Sequence, residues 1–155
     1  MPYFTTTRRV NLSALQAFAI AADVNAYKDF LPLLKRSVIR GERIKTGDIE
    51  VFDADMMIAI EKLNVRENFT SRVTTDLASL TVTATSSDGP VKALKAVWKI
   101  VAVGNSSSDV TITMDYTLKN KMLQMVAGGL MEFATQKIMQ AFEDRGRELY
   151  GSLSS

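Results

Sequence analysis

The 155-residue chain contains no cysteine and no histidine. The first absence excludes a disulfide framework, a thiol nucleophile and a thiolate metal site. The second removes the usual general base and the imidazole ligand. No apolar run approaches the roughly 20 residues that span a bilayer, and the first nine residues lack the apolar centre of a secretory signal. A cytoplasmic location is therefore expected. The net charge is only +2 and no Lys/Arg run resembles a nucleic-acid arm, so DNA is not expected as a partner. The mild basic excess still favours approach to anionic lipid, at about 1 kcal/mol per well-placed Lys or Arg.

What is present is ordinary globular material, 46% hydrophobic and 23% charged, enough for one core. One domain over residues 1–151 is expected, with a disordered tail at 152–155. Residues 3–10 alternate in strand fashion. Ser13-Ala-Leu-Gln16 has the spacing of a capping box, and Leu15, Phe18, Ala19 and Ala22 follow at helical spacing to Asp23. Asn25 is read as the cap of a second short helix that Pro32 stops.

Beyond it the period changes to two. Strands are expected at 36–44 and 49–60, joined by the hairpin loop Lys45-Thr-Gly-Asp48, then at 64–75, 79–86, 94–104 and 109–119. In the last of these Val110, Ile112, Met114, Tyr116 and Leu118 share one face, and Thr111, Thr113, Asp115 and Thr117 the other. One face is covered and one is wet. No helix intervenes, so the sheet is antiparallel.

A helix over 121–150 follows, about 45 Å long at 1.5 Å per residue. Leu123, Val126, Ala127, Leu130, Ala134, Ile138 and Ala141 form its expected inner stripe, with Met125 and Met139 off it. It carries adjacent glycines, Gly128 and Gly129, and four of the eight methionines: Met122, Met125, Met131 and Met139. One reading makes these core and surface, with a kink at the glycines. The other makes the helix a compliant lid that admits a ligand and touches the bilayer beside Lys119 and Lys121. The order strand, two helices, six strands, long helix is α+β, a helix-grip arrangement in which a curved antiparallel sheet of about seven strands wraps one terminal helix. Space between sheet and helix is the expected ligand site.

Ala22-Asp-Val-Asn-Ala-Tyr27 with Phe30-Leu-Pro32, Glu67-Asn-Phe-Thr-Ser-Arg-Val73, Asp88-Gly-Pro90 with Leu94 and Trp98, and Ala141-Phe-Glu-Asp-Arg145 with Leu149-Tyr-Gly151 carry a family resemblance. Together they resemble the coenzyme Q-binding START-like family within the polyketide cyclase/dehydrase superfamily, which also holds the bacterial ribosome-association toxins. The resemblance implies a START-like helix-grip fold binding ubiquinone or a similar polyprenyl lipid. Such a protein supports respiration as a lipid chaperone, without catalysis and without a catalytic cofactor. Val91 and Ile100 stand where the family tends to have phenylalanine and another aromatic, and both reshape the apolar lining.

The expected lining is Met56, Ile58, Val65, Phe69, Trp98, Met114 and Tyr116 from the strands and Leu130 and Phe133 from the last helix, with Glu67 as the polar contact. Glu67 has a structural alternative, bonded to Arg72 or Arg145 or turned outward. Trp98 and Tyr116 have the alternative of plain core. Asp23 and Tyr27 are read as anchors of the short helices. Asp53 and Asp55 share the wet face, without a third acid to make a metal or glycosidase site. Lys28, Lys35, Arg36, Arg40 and Arg43 form a basic region, with solvated surface, anionic membrane or RNA as its uses. The expected partners are thus an apolar lipid and an anionic inner-membrane surface. The ribosome is the alternative, and a cyclase or hydrolase acting through Glu67 is the second.

Overall fold

A computed structural model of the chain describes residues 3–32, 34–60 and 64–150, apart from the side chains of 65, 123 and 126–134. The expected tail at 152–155 lies outside the described residues. Strand β1 (Tyr3–Val10) is followed by helix α1 (Ala14–Ala22), a 3-10 turn (Val24–Ala26) and helix α2 (Tyr27–Phe30). Strands β2 (Leu34–Thr46), β3 (Ile49–Ile60), β4 (Val65–Asp76), β5 (Thr81–Ser86), β6 (Val91–Ala102) and β7 (Ser108–Leu118) come next, and helix α3 (Lys121–Tyr150) closes the order. All neighbours pair antiparallel in the order β1-β7-β6-β5-β4-β3-β2.

Local chemistry explains the elements. Ser13 Oγ accepts from the Gln16 N–H at 3.1 Å while Gln16 Oε1 accepts from the Ser13 N–H at 3.0 Å, the reciprocal box that starts α1. Gly47, at φ +61°, supplies the left-handed turn between β2 and β3. Asn25 does not cap α2. Its side chain instead accepts from the Ile39 N–H at 3.0 Å, fastening the 3-10 turn to β2. Ser37, wholly buried, reinforces the same junction by accepting from the Lys28 N–H and donating to the Asn25 carbonyl.

The sheet bends where its register slips. In β2 three residues, Gly41 to Arg43, stand opposite Phe52 alone, and smaller slips occur at Lys35 in β2 and Lys92 in β6. Such bulges increase twist and curl the strand. At the β5–β6 turn Gly89 has φ +59°, and a Cβ there would sit 2.3 Å from the Asn68 carbonyl oxygen, so the turn can close against β4 only with glycine.

Helix α3 runs unbroken and lies on the inner face; of the expected stripe Leu123, Val126, Ala127, Leu130 and Ala134 lie outside the described side chains, and from residue 135 onward the buried stripe is rotated from the expected one. Among its described side chains Thr135, Met139, Phe142 and Gly146 are buried, whereas Ile138 and Ala141 are half-buried. Met139, expected off the stripe, is 1% exposed. The cause is tertiary: a Cβ on Gly146 would meet the Leu12 side chain at 2.7 Å, so the last turns are drawn against the segment joining β1 and α1. Counting apolar residues misses a stripe that includes a threonine and a glycine.

Candidate functional site

The inner face of the sheet is a set of cross-strand rows. One reads Phe52, Val73, Ala84, Ala96, Met114 and Phe4 from β3 to β1. Its large members flank two alanines that face each other on the central strands. A neighbouring row reads Ala54, Ser71, Ser86, Leu94 and Tyr116. Small side chains in mid-sheet leave a hollow that a straight helix does not fill.

That hollow is a cavity of about 120 Å³ between sheet and helices. The sheet contributes Met56, Phe69, Val73, Val82, Ala84, Leu94, Ala96, Trp98, Ile112 and Met114, while Val24, Tyr27, Leu31 and Ile138 come from the helical side. Ser71 is also in the wall. Its hydroxyl bonds that of Ser86 at 2.6 Å, so both polar groups are satisfied by each other. No charged side chain stands among the described lining residues.

Of the residues expected to line the site, Met56, Phe69, Trp98 and Met114 do. Ile58 is half-buried and packs beside the core without lining the cavity. Tyr116 is only 2% exposed and its ring stacks on Phe4 at 6.2 Å. Its hydroxyl has no hydrogen-bond partner among the described residues, and burial raises its pKa above the ordinary 10.0. Val65, Leu130 and Phe133 lie outside the described side chains. Glu67 faces Ile58 across β3–β4 and is half-buried. The expected structural partners are otherwise engaged, since Arg72 pairs with Asp53 at 3.1 Å and Arg145 with Glu148 at 2.9 Å.

Beyond the aliphatic residues of the wall, two aromatic contributors were not legible as site residues. Phe142 stacks on Trp98 with ring centroids 5.2 Å apart, fixing the indole in the wall. Tyr27 was read as an anchor; it is one, donating its hydroxyl to the Ala21 carbonyl, and it also forms part of the cavity. Asp23 makes no capping bond to the turn that follows it.

Burial, reinforced by the Asp23 carboxylate and opposed by the Trp98 indole N–H, pushes the Tyr27 phenol well above its ordinary 10.0. A raised phenol pKa means that the neutral form is favoured in the folded state. The stabilisation is present below pH 10 and is lost as pH rises beyond the unfolded value. Tyr27→Phe is expected to be about 1 kcal/mol less stable at neutral pH through the lost hydrogen bond. It should then lose less stability than the parent between pH 10 and 11, as checked by urea unfolding at each pH.

The polar side of the sheet is different in kind. Two surface grooves of about 230 and 400 Å³ share Thr70 and Asp88. Both are larger than the inner cavity, yet their lining is polar: Arg72 pairs with Asp53 in the larger, Asp55 of the smaller pairs with Arg40 outside it at 3.5 Å, and the shared Asp88 accepts from the Thr70 N–H. Within the expected basic region Arg40 pairs with Asp55 and Arg43 with Glu50, Lys28 bonds the Asn25 and Ser37 carbonyls, and Lys35 and Arg36 form no ion pair among the described residues. Among the described residues no three acidic side chains are placed to hold a metal ion. No helix among them is long and apolar enough to cross a membrane.

Residues 10–143 match the family model described as polyketide cyclase/dehydrase and lipid transport. The chain belongs to that family. Within it, the chain is similar to the ribosome association toxin RatA of Escherichia coli K12, 27% identical over 98% of this chain and 91% of that one. It is also similar to the mitochondrial coenzyme Q-binding protein coq10 of Schizosaccharomyces pombe, 26% identical over 84% of this chain and 77% of that one. Among solved structures it shares its fold with a START superfamily protein from Mycobacterium smegmatis (TM-score 0.70, 21% identity, 95% and 98% coverage). The Zhui aromatase/cyclase from Streptomyces sp. R1128 has the same fold (TM-score 0.79, 16% identity, 99% and 98% coverage). The fold is helix-grip and START-like, and the family holds both binding proteins and cyclases.

Proposed function

We propose that the chain, as one lipid-binding domain over residues 1–151, binds ubiquinone or a related polyprenyl lipid and acts as a lipid chaperone that supports respiration. The observation that carries this is the cavity itself: apolar, without charge in its described lining, and with its hydroxyls satisfied, Ser71 by Ser86 behind it and Tyr27 by the Ala21 carbonyl. Burying a five-carbon prenyl unit there stabilises the complex by about 0.8 kcal/mol per methylene before ordering costs. The volume of about 120 Å³ is below the roughly 300–1,000 Å³ of a ligand pocket, so a longer chain enters only as α3 yields. Glycine and methionine in the middle of α3 suit that role. Ile58, Val65, Glu67, Tyr116, Leu130 and Phe133 complete the proposed contact set.

Delivery from a bilayer fits the start of α3, where Met122 is 74% and Met125 80% exposed beside Lys119 and Lys121. The proposed location is the cytoplasm, at an anionic inner-membrane surface. Catalysis is not part of the proposal, since Glu67 is the single carboxylate on the inner side of β4 and no acid or base faces it across β3. Mass spectrometry of organic extracts from the purified protein tests the reading. A copurifying quinone or prenyl lipid is expected; an empty extract together with no saturable quinone binding would sink it.

A second reading rests on the near full-length similarity to RatA. There the protein acts on ribosomal subunits through its surface. Charge reversal at Lys35 and Arg36, which are exposed and form no ion pair among the described residues, should then abolish the effect while cavity-filling substitutions leave it intact.

A further inference from the structure

Three buried side-chain polar atoms have no hydrogen-bond partner among the described residues: Tyr116 Oη, Gln124 Nε2 and Asp115 Oδ1. Asp115 stands on the outer face of β7. The other two belong to the inner side, where β7 passes into α3. Orphaned buried donors are rare in folded proteins, because each forfeits its bond to water without replacement.

The orientation of the Gln124 amide is settled by its surroundings. The Leu118 N–H donates to Gln124 Oε1 at 2.6 Å, so the oxygen is committed and the NH₂ group is left as a free donor. Leu118 lies two residues beyond Tyr116 on the same face of β7, which brings the phenol and the amide to one end of the sheet–helix interface. Tyr116 also adjoins the cavity through its strand neighbours: Leu94, its partner on β6, and Met114, two residues before it, both line the wall.

We infer that Tyr116 Oη and Gln124 Nε2 form a polar subsite that receives the oxygen-bearing head of the ligand whose apolar end lies in the cavity. The inference rests on the lipid-binding reading and adds the class of head group. Two donors without a committed acceptor call for lone pairs, as on a carbonyl or ether oxygen. With no charged side chain in the described cavity lining, an anionic head would lack a counter-charge there, so the head is neutral. A quinone ring bearing carbonyl and methoxy oxygens meets these requirements; an oxygen-free isoprenoid meets only the apolar one. It also moves the polar contact from Glu67 on β4 to β7, three places along the sheet order.

The test uses the full chain and two probes: a dimethoxybenzoquinone carrying one prenyl unit, and farnesene as an oxygen-free isoprenoid. Binding is read by calorimetry and by the fluorescence of Trp98, the single tryptophan. Tyr116→Phe is expected to weaken quinone binding about tenfold and to change farnesene binding less than about twofold. Removing an unsatisfied buried hydroxyl should also raise the unfolding midpoint of the ligand-free protein by roughly 3 °C. Gln124→Glu keeps the acceptor for Leu118 and removes the donors, so it should repeat the selective loss without disturbing that junction. Unchanged quinone affinity in both variants, with the parent binding quinone, overturns the subsite and leaves the lipid-binding reading standing. If the parent binds farnesene but not quinone, the subsite alone falls; if it binds neither, both readings fall.

Discussion

Ala84→Leu combined with Ala96→Leu is expected to abolish saturable lipid binding, by at least about 100-fold, without unfolding the protein. These alanines face each other across β5 and β6, and both line the cavity. Six added carbons occupy most of a void of about 120 Å³, so the loss is steric. Overpacking a filled core costs about 1–3 kcal/mol, whereas filling a hollow recovers contacts the lining lacks. The unfolding midpoint should therefore stay level or rise, and calorimetry with quinone read beside thermal denaturation checks both. A variant that still binds would place the ligand elsewhere. One that lost binding yet kept an effect on ribosomal subunits would favour the surface reading.

The largest stability change is expected at Phe142. Its ring is 1% exposed and stacked on Trp98, and truncation to alanine removes that contact and opens space behind the indole. Phe142→Ala should destabilise the fold by about 3–5 kcal/mol and lower the midpoint by roughly 12 °C. Trp98 emission should shift as the indole loses its stacking partner. A loss below about 1 kcal/mol in chemical denaturation would mean that α3 is not clamped to the sheet at this point. The same ring holds the carboxyl end of α3, where Arg145 also lies 5.5 Å over the Phe30 ring and ties α3 to α2.

The surface ion pairs contribute little by comparison. Asp53 and Asp109 are held below the usual carboxylate range by Arg72 and Arg9, so their stabilisation is present above the ordinary aspartate pKa and is lost as pH falls through the depressed values. Both pairs are solvent-exposed, and screening keeps the effect small.

How much of this was legible beforehand differs from element to element. The capping box at Ser13 and Gln16, the turn at Gly47 and the alternation of β7 are local, and each was read from spacing alone. The slip at Gly41 was not, because a bulge is decided by the partner strand. Asn25 has the composition of a helix cap yet serves β2, since Ile39 offers a donor that no local pattern announces. The rotation of α3 escaped notice for a related reason. Helical periodicity ranks faces by apolarity, while the packed face was chosen by fit: Gly146 permits contact with Leu12, and Thr135 is buried although polar.

For the candidate site, the period of two by itself determined which side chains face inward, because alternation is built into every strand. That was enough to bring Met56, Phe69, Trp98 and Met114 to one face. Which inward residues border empty space, and which donors are left without acceptors, was decided only by tertiary structure. A void is a property of several elements packed together: Ala84 and Ala96 become a hollow only when register sets them opposite each other. Tyr116 and Gln124 become a pair only when α3 turns back over the end of β7.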